Sequence, residues 1–431
     1  MKVGFIALGK LGFASAVGAM QRGHEVWGYD ADPQIRNLIE TGQIQRYSFE
    51  PGIQEEFDKV ADNFHMANSI QEVVDNCELI MLSPQTPHPP ELDGSVRFKH
   101  ARKDFDYSFL RSCCSEVATA IKLAYLHKVV VIVSTVLPGT TRTELLPIFQ
   151  KVLGKDPGLS YTVLYSPSFI AQSTVVRDYK DPEFALLGVS EHGLAQGIAL
   201  YESYLRTIHN APILKMSWES AELAKVCYNT FLGYKIILAN TVMEMCDGIP
   251  AVDCNEVMNA LKHAHHRLIS PAYMSPGMDD GGACHPRDNI AMAHISDMVG
   301  LPYNLFDYLM DVREKQTEYI AKRALDLNTS FEKPRPIVVM GRVFKPRVNQ
   351  LTGSPSLLLE NILKEQYDNV WSYDNIVGPE DLPTEPSIYI MTLRDLSYMR
   401  IPLVAGSAII DPWGQVPQGH QDCIVYRIGR K

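Results

Sequence analysis

The residues of this chain that could do covalent chemistry gather in one octapeptide, Gly281-Gly282-Ala283-Cys284-His285-Pro286-Arg287-Asp288. Its paired glycines lack Cβ atoms and let the backbone approach a ligand closely. A thiolate beside Arg287 would have its charged form favoured, as a cysteine nucleophile requires. The same letters also fit a glycine-rich turn with an incidental buried cysteine. A second group is Glu222, Lys225 and Asn229, whose spacing puts them on one face of a helix. The surrounding Leu, Val, Ile, Ala and Phe imply that this face is buried. A buried lysine is costly unless paired, and its pKa shifts readily, which suits proton transfer or oxyanion stabilisation. The competing reading is a Glu–Lys surface pair with Asn229 in water.

A third group opens the chain. Ala7-Leu8-Gly9-Lys10-Leu11-Gly12 follows an apolar run and leads into a helical pattern. It matches the dinucleotide fingerprint, with Ala7 at the first glycine position. Gly9 would let the backbone meet a pyrophosphate, and Gly12 would allow close helix–sheet packing. Asp30 ends the next strand, where a carboxylate accepts hydrogen bonds from a ribose and repels a 2′-phosphate. The cofactor expected is therefore NAD rather than NADP. Ser83-Pro84-Gln85-Thr86-Pro87 and Ser134-Thr135-Val136-Leu137-Pro138-Gly139-Thr140 end two later strands, and their hydroxyls could face that cofactor or cap helices.

The totals bound what these groups belong to. At 431 residues, two or three domains are expected. A hydrophobic content of 46% and a charged content of 21% are ordinary for a globular protein, and a net charge of −10 argues against a nucleic-acid-binding surface. No basic-then-apolar leader is read at the start, and no apolar run reaches membrane-spanning length, so no membrane partner is expected. None of the eight cysteines forms a CxxC pair, which fits a reducing, cytoplasmic setting. His263, His265 and His266 have no acid or cysteine at zinc-site spacing, so no metal is expected.

Strand and helix patterns alternate through the first part of the chain, with strands at Lys2–Leu8, Glu25–Asp30, Cys77–Ser83, Lys128–Thr135, Tyr161–Ser166, Phe184–Gly188 and Ile213–Met216. Near-continuous apolar strands between helices predict a parallel sheet covered on both faces. Between them, Pro89–Asp106 reads as a polar loop carrying Arg97, Lys99, Arg102 and Lys103. One long helix is predicted over 217–247, and further helices at 253–264, 288–299 and 304–327, with Arg267–Asp288 irregular. Strands follow at Pro336–Gly341, Val370–Asp374, Ser387–Met391, Ala408–Asp411 and Cys423–Arg427, with a helix from Ser354. The fold class is α/β, divided as 1–216 (Rossmann-type NAD-binding), 217–327 (central helix and helical module) and 328–431 (a second Rossmann-like unit).

Several segments taken together resemble the UDP-glucose/GDP-mannose dehydrogenase family. The residues carrying the resemblance are the Gly9/Gly12 turn with Asp30, Glu50-Pro51-Gly52, Gln85-Thr86-Pro87, Ser134-Thr135-Val136 and Ser166-Pro167-Ser168-Phe169. They continue with Glu222-Leu223-Ala224-Lys225 and Asn229, Arg267, Gly281-Gly282-Ala283-Cys284 with Asp288, and Gly341 to Lys345. The resemblance implies an NAD-dependent oxidation of a nucleotide-sugar C6 alcohol to a carboxylate, in a homodimer or larger assembly built on the central helix. It implies Cys284 as nucleophile, passing through a thiohemiacetal and a thioester. Lys225 and Asn229 would stabilise the oxyanion, Asp288 would position or deprotonate a water, and Thr135 would hydrogen-bond near the reacting carbon. Gly9, Lys10, Leu11, Gly12, Asp30, Gln85, Thr86, Thr135 and Arg287 would line NAD. Phe169, Tyr273, Gly281, Phe344 and Lys345 would contact the sugar nucleotide, with Arg267 reaching it from a neighbouring subunit.

The departures fall at the substrate end. The family's glutamate after Asn-Pro is Ser168, and its following Glu-Gly is Gln172-Ser173. Asp279-Asp280 precede Gly281-Gly282, and Trp413 stands where the family has an arginine. Losing a general base costs a factor of about 10²–10⁴ unless another group substitutes. Two alternatives therefore stay open: a two-electron dehydrogenase that stops at the aldehyde, and a binding homologue without turnover.

Overall fold

The structure, a computed structural model, describes the chain apart from residues 49, 89–91, 93, 97–102, 125, 155–160, 191–193, 249, 266–274, 279–281, 283, 299, 301 and 430–431, and the side chains of 241, 245, 248 and 295. Arg97, Lys99, Arg102, Arg267, Tyr273, Asp279, Asp280 and Gly281 lie outside the described residues. Two compact units form, Met1–Pro87 with Phe105–Cys227, and His88–Asp104 with Tyr228–Lys431.

The first unit is built on β1 (Lys2–Ile6), β2 (Glu25–Tyr29), β3 (Phe64–Met66), β4 (Leu79–Leu82), β5 (Lys128–Ile132), β6 (Tyr161–Tyr165), β7 (Ala185–Val189) and β8 (Ile213–Ser217). They form one sheet in the order β3-β2-β1-β4-β5-β6-β7-β8. The strands β4, β5 and β6, apolar but for Lys128 and Thr162, are buried along their whole length, as strands covered on both faces must be. One expectation needs correcting. β7 pairs antiparallel with β6 and parallel with β8, so the sheet is mixed rather than wholly parallel. Near-continuous apolar runs report burial on both faces and say nothing of strand direction. Phe13, Val17 and Met20 on the helix Gly12–Gln21 pack into the same core as Val3 and Phe5 of β1 and Val26 of β2.

The helix Trp218–Gly248 continues through the change of unit at Cys227. The second unit adds the helices Cys254–Lys262, Cys284–Met298 and Leu305–Thr329, then β9 (Ile337–Met340), the helix Pro355–Lys364, β10 (Val370–Tyr373), β11 (Ile388–Met391), β12 (Ala408–Asp411) and β13 (Ile424–Arg427). Their sheet is wholly parallel in the order β10-β9-β11-β12-β13. Each sheet reverses its winding beside its first strand, between β1 and β4 and between β9 and β11. Open α/β sheets bind ligands outside the carboxyl ends of strands at such points. The segments there are Ala7–Gly12 with Ser83 in one unit, and Gly341–Lys345 with Thr392 in the other.

Candidate active site

Ala7 leaves β1 with φ +73°, in the left-handed region that glycine occupies freely. The backbone shape of the fingerprint's first glycine is thus kept with a side chain on it, at a cost of about 1 kcal/mol. Both of Ala7's peptide groups are tied down. Its N–H donates to the Tyr29 carbonyl at 2.9 Å, and its own carbonyl accepts from Ser83 Oγ at 3.0 Å. A Cβ on Gly12 would stand 2.0 Å from the Ala7 carbonyl oxygen, so only glycine fits there. A Cβ on Gly9 would meet nothing within 4 Å, which leaves that side open to a ligand. Burial holds the Lys10 ammonium below its ordinary pKa, and Leu11 is 43% exposed at the head of the first helix.

Asp30 is buried at the end of β2, and burial raises its carboxyl pKa. One oxygen accepts from the Leu8 N–H at 2.6 Å and the other from the Asp32 N–H at 2.8 Å. It therefore braces the turn from the end of the neighbouring strand. Open space at Gly9, no room at Gly12 and an oriented acid after β2 together fit a dinucleotide.

Farther along the sheet, Thr86 Oγ1 donates to the Thr135 carbonyl at 2.8 Å, joining the segments after β4 and β5. Thr86 is buried with its hydroxyl so engaged, while the Thr135 hydroxyl has no partner among the described residues and Gln85 is exposed. The long-helix face is buried, as its apolar surroundings imply, and the surface-pair alternative does not hold. Glu222 is fully buried and accepts from the Gly139 N–H at 2.6 Å and the Thr141 N–H at 2.9 Å, fixing the turn after β5. Lys225 Nζ donates to the Ser168 carbonyl at 2.8 Å and lies 4.6 Å from the centre of the Phe169 ring. Ser173 has φ +74°, so the backbone there also keeps a glycine-like shape.

In the second unit the helix starts at Cys284, four residues before the expected 288. Glycines and Pro286 read as loop in sequence, but a proline in the first turn forfeits only an N–H that has no helical acceptor. Cys284 is exposed on that turn. Gly282 has φ +78°, and a Cβ there would stand 2.3 Å from the Phe344 ring, which brings the segment after β9 against the cysteine turn.

One helical turn beyond the cysteine, Asp288 is fully buried. Its Oδ2 accepts from Asn229 Nδ2 at 2.6 Å, and its Oδ1 accepts from Arg287 Nε at 2.8 Å. The structure therefore joins Asn229, Arg287 and Asp288 directly. His88, which sequence reasoning passed over, contacts the Arg287 carbonyl through Nε2 at 3.2 Å. Burial lowers its pKa, favouring the neutral imidazole that can donate there. Trp413 packs on Gly277, where a Cβ would stand 2.3 Å from the ring, and its Nε1 donates to the Thr392 carbonyl at 3.1 Å. Among the described residues no cluster of His, Cys, Asp and Glu could hold a metal, and no helix is long and apolar enough to cross a membrane.

Comparison with known proteins bears on both units. Residues 1–205 match the NAD-binding domain of the UDP-glucose/GDP-mannose dehydrogenase family, and residues 219–315 match its central domain. The chain belongs to this family. A GDP-mannose 6-dehydrogenase of Pseudomonas aeruginosa is 27% identical over 365 residues, which is 84% of this chain and 78% of that protein. A UDP-glucose 6-dehydrogenase of Bacillus subtilis is 26% identical over 381 residues, 88% of this chain and 77% of that one. In fold the chain is similar to a UDP-glucose dehydrogenase from Pyrobaculum islandicum, with a TM-score of 0.84 at 22% identity, covering 100% of this chain and 98% of that one. It is similar also to a UDP-D-ManNAc dehydrogenase from Pyrococcus horikoshii, with a TM-score of 0.83 at 20% identity, covering 100% and 99%.

As a member of the UDP-glucose/GDP-mannose dehydrogenase family, the protein is an NAD-dependent oxidoreductase acting on a CH–OH donor. Ser83 and His88 are the site-adjacent residues that sequence did not single out. Ser83 stood in a segment read for its hydroxyls, without a partner assigned. His88 carried no signal, because its contact spans 199 positions of sequence.

Proposed function

We propose that the protein is a nucleotide-sugar 6-dehydrogenase that takes a C6 alcohol to the carboxylate through Cys284. The observation that carries this reading is the cysteine turn. An exposed thiol begins a helix whose next turn buries Asp288, and Asp288 in turn holds Asn229. When bound, NAD accepts the hydride in each oxidation. Lys225 and Asn229 stabilise the developing oxyanion. Cys284 Sγ adds to the aldehyde carbon to give a thiohemiacetal, whose oxidation leaves a thioester. Water then cleaves the thioester, releasing the acid and the thiol. Both carboxylate oxygens of Asp288 are engaged, which favours orienting Asn229 and Arg287 over deprotonating water. Exposed Leu223, Phe231 and Leu238 on the long helix support pairing of copies through it.

The relatives are named for GDP-mannose and UDP-glucose, so the test is a panel of UDP-, GDP- and dTDP-sugars with NAD, read at the NADH band. Two NADH per sugar are expected, and Cys284→Ser should yield no acid. One NADH per sugar with an aldehyde product would overturn the four-electron reading. Ser168 favours that second outcome, since it stands where the family pattern has a glutamate and a hydroxyl is a far weaker general base for thioester hydrolysis.

A further inference from the structure

A cleft of about 890 Å³ opens in the first unit, and none of its lining residues belongs to the Ala7–Gly12 turn or to the segments after β4 and β5. Its volume lies within the range of about 300–1,000 Å³ typical of small-molecule sites. Arg22, from the end of the first helix, and Arg206 and His209, from the end of the helix Ala195–Ile208, line it with Glu50.

Two buried groups there are incompletely satisfied. His209 and Glu50 are each only 7% exposed, yet His209 Nδ1 and Glu50 Oε2 have no hydrogen-bond partner among the described residues. Glu50 Oε1 is already taken by the Val176 N–H at 3.1 Å. The Arg206 side chain makes no hydrogen bond or ion pair among the described residues. Arg22 makes one long contact, 3.4 Å to the Lys180 carbonyl. Burial, reinforced by the Arg22 charge, lowers the pKa of His209, favouring the neutral ring, which has one N–H to donate.

We infer that this cleft binds a phosphorylated polyol, with its oxyanion on Arg22, Arg206 and His209 and a hydroxyl on Glu50. Guanidinium groups suit tetrahedral oxyanions, because their N–H donors can bond two oxygens at once. The lining also contains Glu56, Asp181 and Glu183, as many acids as bases counting Arg177 and Lys180. That balance disfavours a polyanion and suits a small ligand with one charged end and several hydroxyls.

The test is calorimetric titration of the full chain, in saturating NAD, with glucose 1-phosphate and separately with inorganic phosphate. Glucose 1-phosphate should bind roughly ten-fold more tightly than phosphate, and Arg206→Gln should weaken it by about ten-fold. Arg206 is exposed and unbonded, so that variant should keep the parent's melting temperature and its NADH-forming rate. Absence of binding, or equal binding by the parent and Arg206→Gln, would overturn the site. Equal affinity for the two probes would overturn the hydroxyl contact assigned to Glu50.

Discussion

The turn after β1 and the turn before Cys284 both need backbone that ordinary residues avoid, and they meet the need differently. At Ala7 the left-handed conformation carries a methyl group and is secured by bonds to Tyr29 and Ser83. At Gly282 the conformation has no side chain, and the space a Cβ would need is filled by Phe344. Gly12 is the intermediate case, with no positive φ but a carbonyl oxygen where its Cβ would be. Conformation and contact therefore separate: Ala7 bears the first alone, Gly12 would bear the second alone, and Gly282 would bear both.

Gly282→Ala should have the largest effect. Left-handed strain of about 1 kcal/mol adds to an overpacking cost of about 1–3 kcal/mol, destabilising the second unit and removing turnover. Denaturant melts measure the first consequence and NADH formation the second. In a Phe344→Leu background the same change should cost only the conformational part, about 1 kcal/mol. An unchanged cost in that background would show that the ring is not what excludes the side chain.

Gly12→Ala comes next. Its clash is with a backbone oxygen held by Ser83, which cannot rotate away as a side chain would. A loss of about 1–3 kcal/mol in the first unit is expected, with weakened NAD binding by calorimetry. Unaltered NAD affinity would mean that the turn relaxes without moving the cofactor.

These distinctions mark how far the sequence was legible. Apolar runs located both sheets, and β12 has the expected boundaries, because buried parallel strands leave a dense local signal. β3 escaped notice, being three half-buried residues at a sheet edge. The direction of β7 was hidden for another reason: it is set by the connection from β6, not by residue types. The candidate residues Gly9, Gly12, Asp30, Lys225, Asn229, Cys284 and Asp288 could be named from spacing and resemblance. What spacing could not give was partnership. That Asp288 would hold Asn229, that Glu222 would fix the turn at Gly139–Thr141, and that Trp413 would pack on Gly277 are contacts across long stretches of chain.

The smallest expected effect is the most direct test of the Ala7 turn. Ala7→Gly removes a left-handed strain of about 1 kcal/mol, but glycine loses more backbone freedom on folding, which returns about 0.4–1 kcal/mol. The net gain should be a few tenths of a kcal/mol, a rise of roughly 1–2 °C in the melting temperature of the first unit. NAD affinity should stay within about two-fold, because the bonds to Tyr29 and Ser83 fix the peptide groups whichever residue lies between them. A fall in melting temperature would mean that the Ala7 methyl contributes packing that outweighs its strain. A marked tightening of NAD binding would mean instead that the methyl stands in the cofactor's way, and the contrast with Gly282 would then be one of degree.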